Sequence, residues 1–571
     1  MKERRGVRNP RTVYPQVMPD IERWPIYQLS EDRRQFIREI DAYTLKRIIS
    51  RSNDDVEDIL TRTIYQERIR VKEEPWKVDP PNERQFWRRI QRRLIQRSLD
   101  QPKEEAAQIN SELLQKIIHR YSEEIVGTFR IKTFLFARRF LTFFFNRLLQ
   151  ARQRGFFRAR GARKRLYEKL IVRGEVESLR SLFTQGTVVV VPTHFSNLDS
   201  ILIGYALDAV VGLPSFSYGA GLNLYNTGYT AYFMNRLGAY RVDRRKKNDI
   251  YLETLKAMST LSIKRGTNSL FFPGGTRSRS GMLEKKLKRG LLGTTIEAQR
   301  LLYQRGSEEK IFIVPLVLGY HFVLEAPFLI EQHLKRMGKE KYIRAKDDFF
   351  SPIRLLQYAW KVLSEGNDIT LSFGQPLDVL GNHVDDQGDS YDQYGNKIDV
   401  REYFMTDGKV TTDLQRESEY TRELADVIVQ RYYQDNIVLS SHLIAFAAFK
   451  MLRKENSKLD LYGVLRLPTD DYIFAQQGLR NVVGQLRQHL IAMADENKIK
   501  LSDQVYWDVD ELIRHGISRL GTFHLRKPLR YDKKGQIVSE SFKLLYYYHN
   551  RLDNYGLEQK ITWKDFTMGV E

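Results

Sequence analysis

One run of residues carries an obvious chemical pairing: Val191-Pro192-Thr193-His194-Phe195-Ser196-Asn197-Leu198-Asp199. A carboxylate five positions after an imidazole can accept one ring N–H and leave the other nitrogen as a base. The apolar run Val188 to Val191 reads as a buried strand and Leu198 to Val211 as a helix, so the pair falls on the loop between them. Loops at the carboxyl ends of strands are where α/β proteins place ligands. Taken alone, the spacing also fits a histidine capping a helix turn. Ser196 lacks the Gly-x-Ser-x-Gly elbow of a serine nucleophile, and the chain has no cysteine to serve as a thiolate.

Two further loops follow strand-like runs. After Ala239 to Val242 come Asp243-Arg244-Arg245-Lys246-Lys247. Beyond Leu270 to Phe272 lies Pro273-Gly274-Gly275-Thr276-Arg277-Ser278-Arg279-Ser280-Gly281, with Lys288 shortly after. Glycines that let a ligand approach the main-chain N–H groups, together with hydroxyls and guanidinium forks, make a cradle for phosphate. The Gly-Lys-Ser/Thr ending of a Walker loop is absent. Either loop alone is equally compatible with a solvated basic turn, but two basic loops and a His-Asp pair after successive strands point to one site.

Those loops need a scaffold. Val188 to Val191, Ala239 to Val242, Leu270 to Phe272, Ile311 to Leu318 and Ile369 to Phe373 read as strands, with helices over Leu198 to Val211 and Asp249 to Arg265, the second stopped at Gly266. That alternation predicts an α/β domain over 166–380, on a mixed, largely parallel sheet flanked by helices. Residues 1–130 read as a helical N-terminal region, 381–400 as a Gly- and Asp-rich connector, and 401–571 as a helical C-terminal region that includes a buried helix over Ile437 to Phe449. The connector aspartates miss the EF-hand spacing. No internal repeat is evident.

The segment 131–165 differs from the rest. It holds eleven Lys and Arg, from Lys132 to Arg165, without an acidic residue until beyond Arg165, interleaved with Phe134, Phe136, Phe140, Phe143, Phe144 and Phe145. At about 100° per residue most of the large apolar side chains share one broad face. Such a helix is expected to lie in a membrane interface, where apolar burial and attraction to anionic lipid act together; the alternative is a helix packed on its own domain with a solvated basic face.

Composition narrows the classes. Over 571 residues there are 93 Lys and Arg against 71 Asp and Glu, a formal charge of +22, and the pI is about 9.7. The hydrophobic fraction of 42% and the aromatic fraction of 12% exclude a disordered chain. The absence of cysteine excludes disulfide frameworks and Cys-ligated metal sites. The basic balance fits nucleic acid, an anionic membrane surface or phosphorylated substrates. No secretory signal is expected, since the basic N-terminus leads into no apolar core. The charge-free stretch Ala209 to Asn235, broken by glycines and Pro214, reads as a loop-rich wall rather than a spanning helix.

Taken in order, His194-Phe195-Ser196-Asn197-Leu198-Asp199, Ala220-Gly221-Leu222-Asn223-Leu224, Arg236 to Arg244, Phe272 to Gly281 and Ile313-Val314-Pro315-Leu316 resemble the motif blocks of glycerolipid acyltransferases, closest to the bacterial membrane glycerol-3-phosphate and the dihydroxyacetone-phosphate acyltransferases. The resemblance covers about 185 to 380. It implies His194 as general base with Asp199 orienting it, Arg244, Arg277, Ser278, Arg279 and Lys288 on the acceptor phosphate, and Asn223, Gly275, Thr276 and Pro315 as supporting motif positions, with Val314 and Pro315 tied to the acyl donor or to strand packing. It departs twice. Gly274 stands where the family usually has Glu, and one extra residue separates Gly281 from Lys288-Arg289-Gly290.

The expected reaction passes a fatty acyl group from acyl-CoA or acyl carrier protein to the hydroxyl of glycerol 3-phosphate, with no metal or cofactor. Lysophosphatidate or dihydroxyacetone phosphate is the alternative acceptor. The expected partners are an anionic phospholipid surface, the acyl donor and the phosphorylated glycerol acceptor, with no nucleic acid. The expected place is the cytoplasmic face of the cell membrane, peripheral or monotopic. An inactive scaffold is the competing reading that Gly274 raises, and a nucleic-acid binder leaves the ordered blocks unexplained.

Overall fold

Four consecutive valines, 188 to 191, are wholly buried and run through the middle of a seven-stranded sheet. The computed structural model describes residues 13–52, 56–76, 78–96, 103–150, 170–225, 228–337, 368–469 and 472–563. Its main sheet contains β1 (Leu170–Gly174), β2 (Gly186–Pro192), β3 (Ser217–Gly221), β4 (Ala239–Val242), β5 (Ser269–Leu270), β6 (Lys310–Tyr320) and β7 (Ile369–Phe373). The order is β1-β7-β6-β2-β5-β3-β4. Every neighbouring pair is parallel except β6 with β7. The sheet is therefore mixed and largely parallel, flanked by helices, as the alternating pattern predicts.

That topology brings the chemistry to one edge. Strands β2, β4, β5 and β6 run the same way, so His194, Arg244, the 271–281 loop and the segment after Tyr320 all leave the sheet at their carboxyl ends.

Two strands differ from the sequence reading. β1 lies outside the runs read as strands, and β3, Ser-Tyr-Gly-Ala-Gly, falls inside the stretch read as a loop-rich wall. Glycine is a poor strand former, but at 219 it leaves room for a neighbour: a Cβ there would stand 3.0 Å from the Tyr240 hydroxyl of the adjacent strand. The ring of Tyr240 packs where a larger residue would put its side chain.

The N-terminal region is helical, with helices Arg33–Ser52, Val56–Glu73, Glu83–Ile95 and Lys103–Ile125. They share a core with Ile250, Tyr251, Leu255 and Met258 of helix Asp249–Lys264. Helix Ile131–Gln150 follows. Phe134 is buried against Trp24 and Phe129, with ring centroids 5.1 and 5.4 Å away. Phe136, Phe140 and Phe143 remain exposed, at 58%, 42% and 63%. The helix thus docks by one strip of its apolar face and presents a second, and Phe136 stacks on both Phe140 and Phe233. The basic positions from Arg152 to Arg165 lie outside the described residues.

The C-terminal helices, among them Leu414–Gln434, Ser440–Glu455 and Phe542–His549, are part of the same continuous core as the sheet. Ser440 to Leu452 are all buried, in line with the uncharged stretch. The chain enters that helix through a two-residue strand, Ile437–Val438, paired with Lys500–Leu501.

The segment read as a connector is ordered by a repeat missed in the sequence. Asp-x-x-Gly recurs every seven residues at 378–381, 385–388 and 392–395. In each, the aspartate carboxylate accepts main-chain N–H groups two and four residues on, and the turns link short antiparallel strands. These carboxylates serve the turns. Among the described residues no cluster of His, Asp and Glu could hold a metal ion.

Candidate active site

His194 leaves β2 two residues after Pro192. Its Nδ1 is 2.8 Å from Asp199 Oδ2, and its ring lies nearly parallel to Phe272, 4.1 Å between centroids. Asp199, fully buried, opens helix Asp199–Ala206, where the helix N-terminus favours a negative charge. Oδ2 also accepts the main-chain N–H groups of Phe195 and Ser196, at 2.7 and 3.0 Å, and Oδ1 accepts the Tyr320 hydroxyl. With its oxygens so occupied, the carboxylate is fixed as the acceptor of the imidazole N–H, and Nε2 is the nitrogen left for chemistry. A stacked ring and an anchored partner hold this orientation without rearrangement.

The second part of the site is cationic. Arg277 lies 3.2 Å from Glu325, whose carboxylate also accepts Ser196 Oγ at 3.0 Å and the Asn197 N–H at 2.9 Å. Glu325 therefore ties the His194 loop to the Arg277 loop, and a further bond from the Ser278 N–H to the His194 carbonyl, 2.7 Å, joins them again. Burial raises the pKa of Glu325 against the charge of Arg277. Burial and then the charges of Arg336, Arg277 and Arg244 lower the pKa of Arg279. Arg244 reaches the surface but is surrounded enough for burial, and then Arg277, to lower its pKa as well. Guanidiniums this close together remain charged, and their repulsion is relieved when an anion joins them.

The predicted phosphate residues divide. Arg244, Arg277 and Arg279 converge. Arg245 and Lys246, in the same basic run as Arg244, are committed elsewhere: Arg245 to Asp243 and Asp79, and Lys246 to Glu124. The Ser278 hydroxyl donates to the Met282 carbonyl, 2.7 Å, and so shapes its own loop. Lys288 crosses Gly275, where a Cβ would stand 2.6 to 2.9 Å from its Cδ, Cε and Nζ. Gly275 also has φ +75°, so the turn favours glycine for its backbone, and the absent Cβ leaves Lys288 its path. Thr276 lies on this turn. Pro315 is buried in β6 beside Val191, within the sheet. Asn223 lies in the turn Leu222–Tyr225, and its side chain is outside the described part.

Several residues of the site carry no motif signal. Tyr320 ends β6, Glu325 stands at the N-cap of helix Ala326–Arg336, and that helix supplies Arg336 and Gln332, which accepts Arg279 Nε at 3.1 Å. Arg551, from the far end of the chain, lies over the Phe195 ring at 4.4 Å and donates to the Leu318 carbonyl, 2.6 Å. Only the fold brings these residues to the motif loops.

Residues 173–319 match the Acyltransferase family model. This segment is an acyltransferase-family domain. The chain is also similar to curated proteins named "Glycerol-3-phosphate acyltransferase": 28% identity over 303 residues with that of Aeromonas hydrophila, covering 52% of this chain and 33% of the relative, and 28% over 273 residues with that of Shewanella amazonensis, covering 47% and 29%. The match thus spans about a third of the length of these curated relatives. Among solved structures, the 1-acyl-sn-glycerophosphate (LPA) acyltransferase of Thermotoga maritima aligns over 65% of this chain and 93% of its own, at 12% identity and a TM-score of 0.24, too low to add to the domain assignment.

Proposed function

We propose that this protein transfers a fatty acyl group from an acyl thioester to the hydroxyl of glycerol 3-phosphate. The observation that carries the reading is the His194–Asp199 pair held beside Arg244, Arg277 and Arg279 at one sheet edge. The arginines bind the acceptor phosphate and hold its hydroxyl near His194. Nε2 removes the hydroxyl proton as the oxygen attacks the thioester carbon, and the proton then passes to the departing thiolate. The forming imidazolium is stabilised by Asp199. A positioned general base contributes roughly a hundredfold to ten-thousandfold, and fixing the acceptor lowers the barrier by several kcal/mol more. An activated thioester needs no covalent enzyme intermediate.

The similarity to proteins named for glycerol 3-phosphate favours that acceptor over lysophosphatidate and dihydroxyacetone phosphate. Acyl-CoA and acyl carrier protein are both compatible donors. The exposed Phe136, Phe140 and Phe143, on a helix that also carries Lys132 and Arg139, support binding to an anionic phospholipid surface, at the cytoplasmic face of the membrane where these donors and acceptors occur. Among the described residues no helix is long and apolar enough to cross a membrane.

The test is thiol release from palmitoyl-CoA, or deacylation of acyl carrier protein, with glycerol 3-phosphate, dihydroxyacetone phosphate and lysophosphatidate offered in parallel and the product identified by mass. Acylation of glycerol 3-phosphate is expected. Turnover with lysophosphatidate alone would move the protein to the second acylation step, and turnover with none would overturn the reading.

A further inference from the structure

Ten residues after Gly274 the chain returns to it. Glu284 packs directly on that glycine: a Cβ at 274 would stand 3.0 Å from Glu284 Oε1 and 3.1 Å from its Cγ. The same Oε1 accepts the main-chain N–H of His194 at 3.3 Å. Oε2 is buried with no hydrogen-bond partner among the described residues, an arrangement that costs stability because the group has given up water without replacing it. A carboxyl group kept there at that cost, against the residue that pairs with Asp199, calls for a role.

We propose that Glu284 is a positioning residue for His194, reaching through the space that glycine at 274 leaves open to hold the His194 main chain against the Pro273-Gly274-Gly275 turn. The carboxylate missing from position 274 is in this way supplied from position 284. The inference rests on His194 being the base. Glycine at 274 is what admits the Glu284 carboxylate. Glu284 touches neither reacting atom. It acts through the backbone that sets where the imidazole stands.

The surroundings of Glu284 fit that role. Burial pushes its pKa up to about 7, the His194 N–H and the charge of Arg551 oppose the rise, and Asp199 adds to it. Tyr432 and Tyr433 also face it from helix Leu414–Gln434. The group therefore titrates close to neutrality, between the helix that carries Asp199 and the C-terminal region that carries Arg551.

Four variants test the exchange, each checked for folding by circular dichroism: Glu284→Gln, Glu284→Ala, Gly274→Glu, and Gly274→Glu combined with Glu284→Ala. Gln keeps the bond to the His194 N–H, so kcat is expected within about threefold of the parent, with any inflection near pH 7 that belongs to Glu284 gone from the pH profile. Glu284→Ala is expected to lower kcat about tenfold with KM for the acceptor unchanged. Gly274→Glu alone crowds two carboxylates and is expected to do the same or worse, whereas the double variant recovers most of the lost kcat. A double variant no better than Glu284→Ala, or a Glu284→Ala enzyme with parental kcat, overturns the proposal.

A readout independent of turnover separates this outcome from failure of the acyltransfer reading. The rate at which diethyl pyrocarbonate modifies His194, followed by mass spectrometry, is expected to change severalfold in Glu284→Ala and return in the double variant. An unchanged rate overturns the positioning role even in a protein with no turnover.

Discussion

Asn550 Nδ2 donates to the main-chain carbonyl of Ser280 at 2.8 Å, so a side chain from the C-terminal region closes the loop that carries Arg277 and Arg279. Nearby, the Tyr432 hydroxyl donates to the Val191 carbonyl at 2.9 Å, bracing the strand that launches His194. The C-terminal helices are thus part of the site's frame. Replacing Asn550 by Ala removes a bond of about 0.5 to 1.5 kcal/mol, and a rise of roughly twofold to tenfold in KM for the phosphorylated acceptor is expected, with kcat little altered. Initial rates at varied acceptor concentration measure it.

His194→Ala is expected to cut kcat by about a hundredfold to ten-thousandfold while the circular dichroism spectrum stays that of the parent. Asp199→Asn should lose less, since it keeps the shape but weakens both the hold on the ring N–H and the stabilisation of the imidazolium. A His194→Ala protein as active as the parent would exclude the general-base role and leave the phosphate site in need of another partner.

Neighbours in one basic run are expected to respond differently. Arg244 converges on Arg277 and Arg279, so Arg244→Ala should raise acceptor KM tenfold or more and leave the melting temperature within a degree or two. Arg245 pairs with Asp243 and Asp79 and lies over Trp76, and its removal strands a buried acid. Arg245→Ala should lower the melting temperature by several degrees with acceptor KM unchanged. Thermal unfolding and kinetics on both variants decide the division.

Acid should weaken the C-terminal region first. Burial pushes the pKa of His442 and His524 down to about 3, far below the ordinary 6.5, so the fold holds both rings neutral. In this range the unfolded chain binds more protons than the folded one. The stability they contribute is complete above pH 6.5 and is lost as pH falls toward 3, each at up to about 1.4 kcal/mol per pH unit. Denaturant midpoints between pH 7.5 and 4.5 should fall with pH, and less steeply when His524 is replaced by Gln.

Replacing Phe136, Phe140 and Phe143 together by Ser is expected to abolish flotation with anionic liposomes and leave the melting temperature near the parental value, because these rings face outward. Parental protein that stays at the bottom of the gradient at low salt would reject the interfacial role.

The sheet was legible in the sequence where chemistry and pattern coincide. The valine run of β2 and the apolar run of β6 could be little else, and His194, Asp199, Arg277 and Arg279 sit on loops whose glycines and charges mark them. β3 was not legible, since Gly219 leaves room for the ring of Tyr240, a neighbour known only once strands are ordered. Glu284 was hidden for a similar reason, since a glutamate at the head of the charged run Glu284 to Arg289 reads as surface, and Glu325, a lone acid between Leu324 and Ala326, has no visible partner until the fold brings Arg277 and Ser196 to it. The roles of Arg244 and Arg245 are alike in sequence and are separated only by Asp79 from the N-terminal region.

The boundary of the acyltransferase match has a practical meaning for what can be cut. A fragment ending at residue 319 would keep β6 except Tyr320, the partner of Asp199, but discard β7, whose five residues pair with Leu316 to Tyr320, leaving an apolar strand edge open to any other strand it meets. It would also shed Arg551 and Asn550, which sit more than two hundred residues beyond. The matched segment therefore ends inside a core that it shares with the C-terminal helices. Swapping it between relatives as a cassette would transplant the loops without the walls that hold them, and a chimera that keeps this specificity has to carry the far end of the chain along.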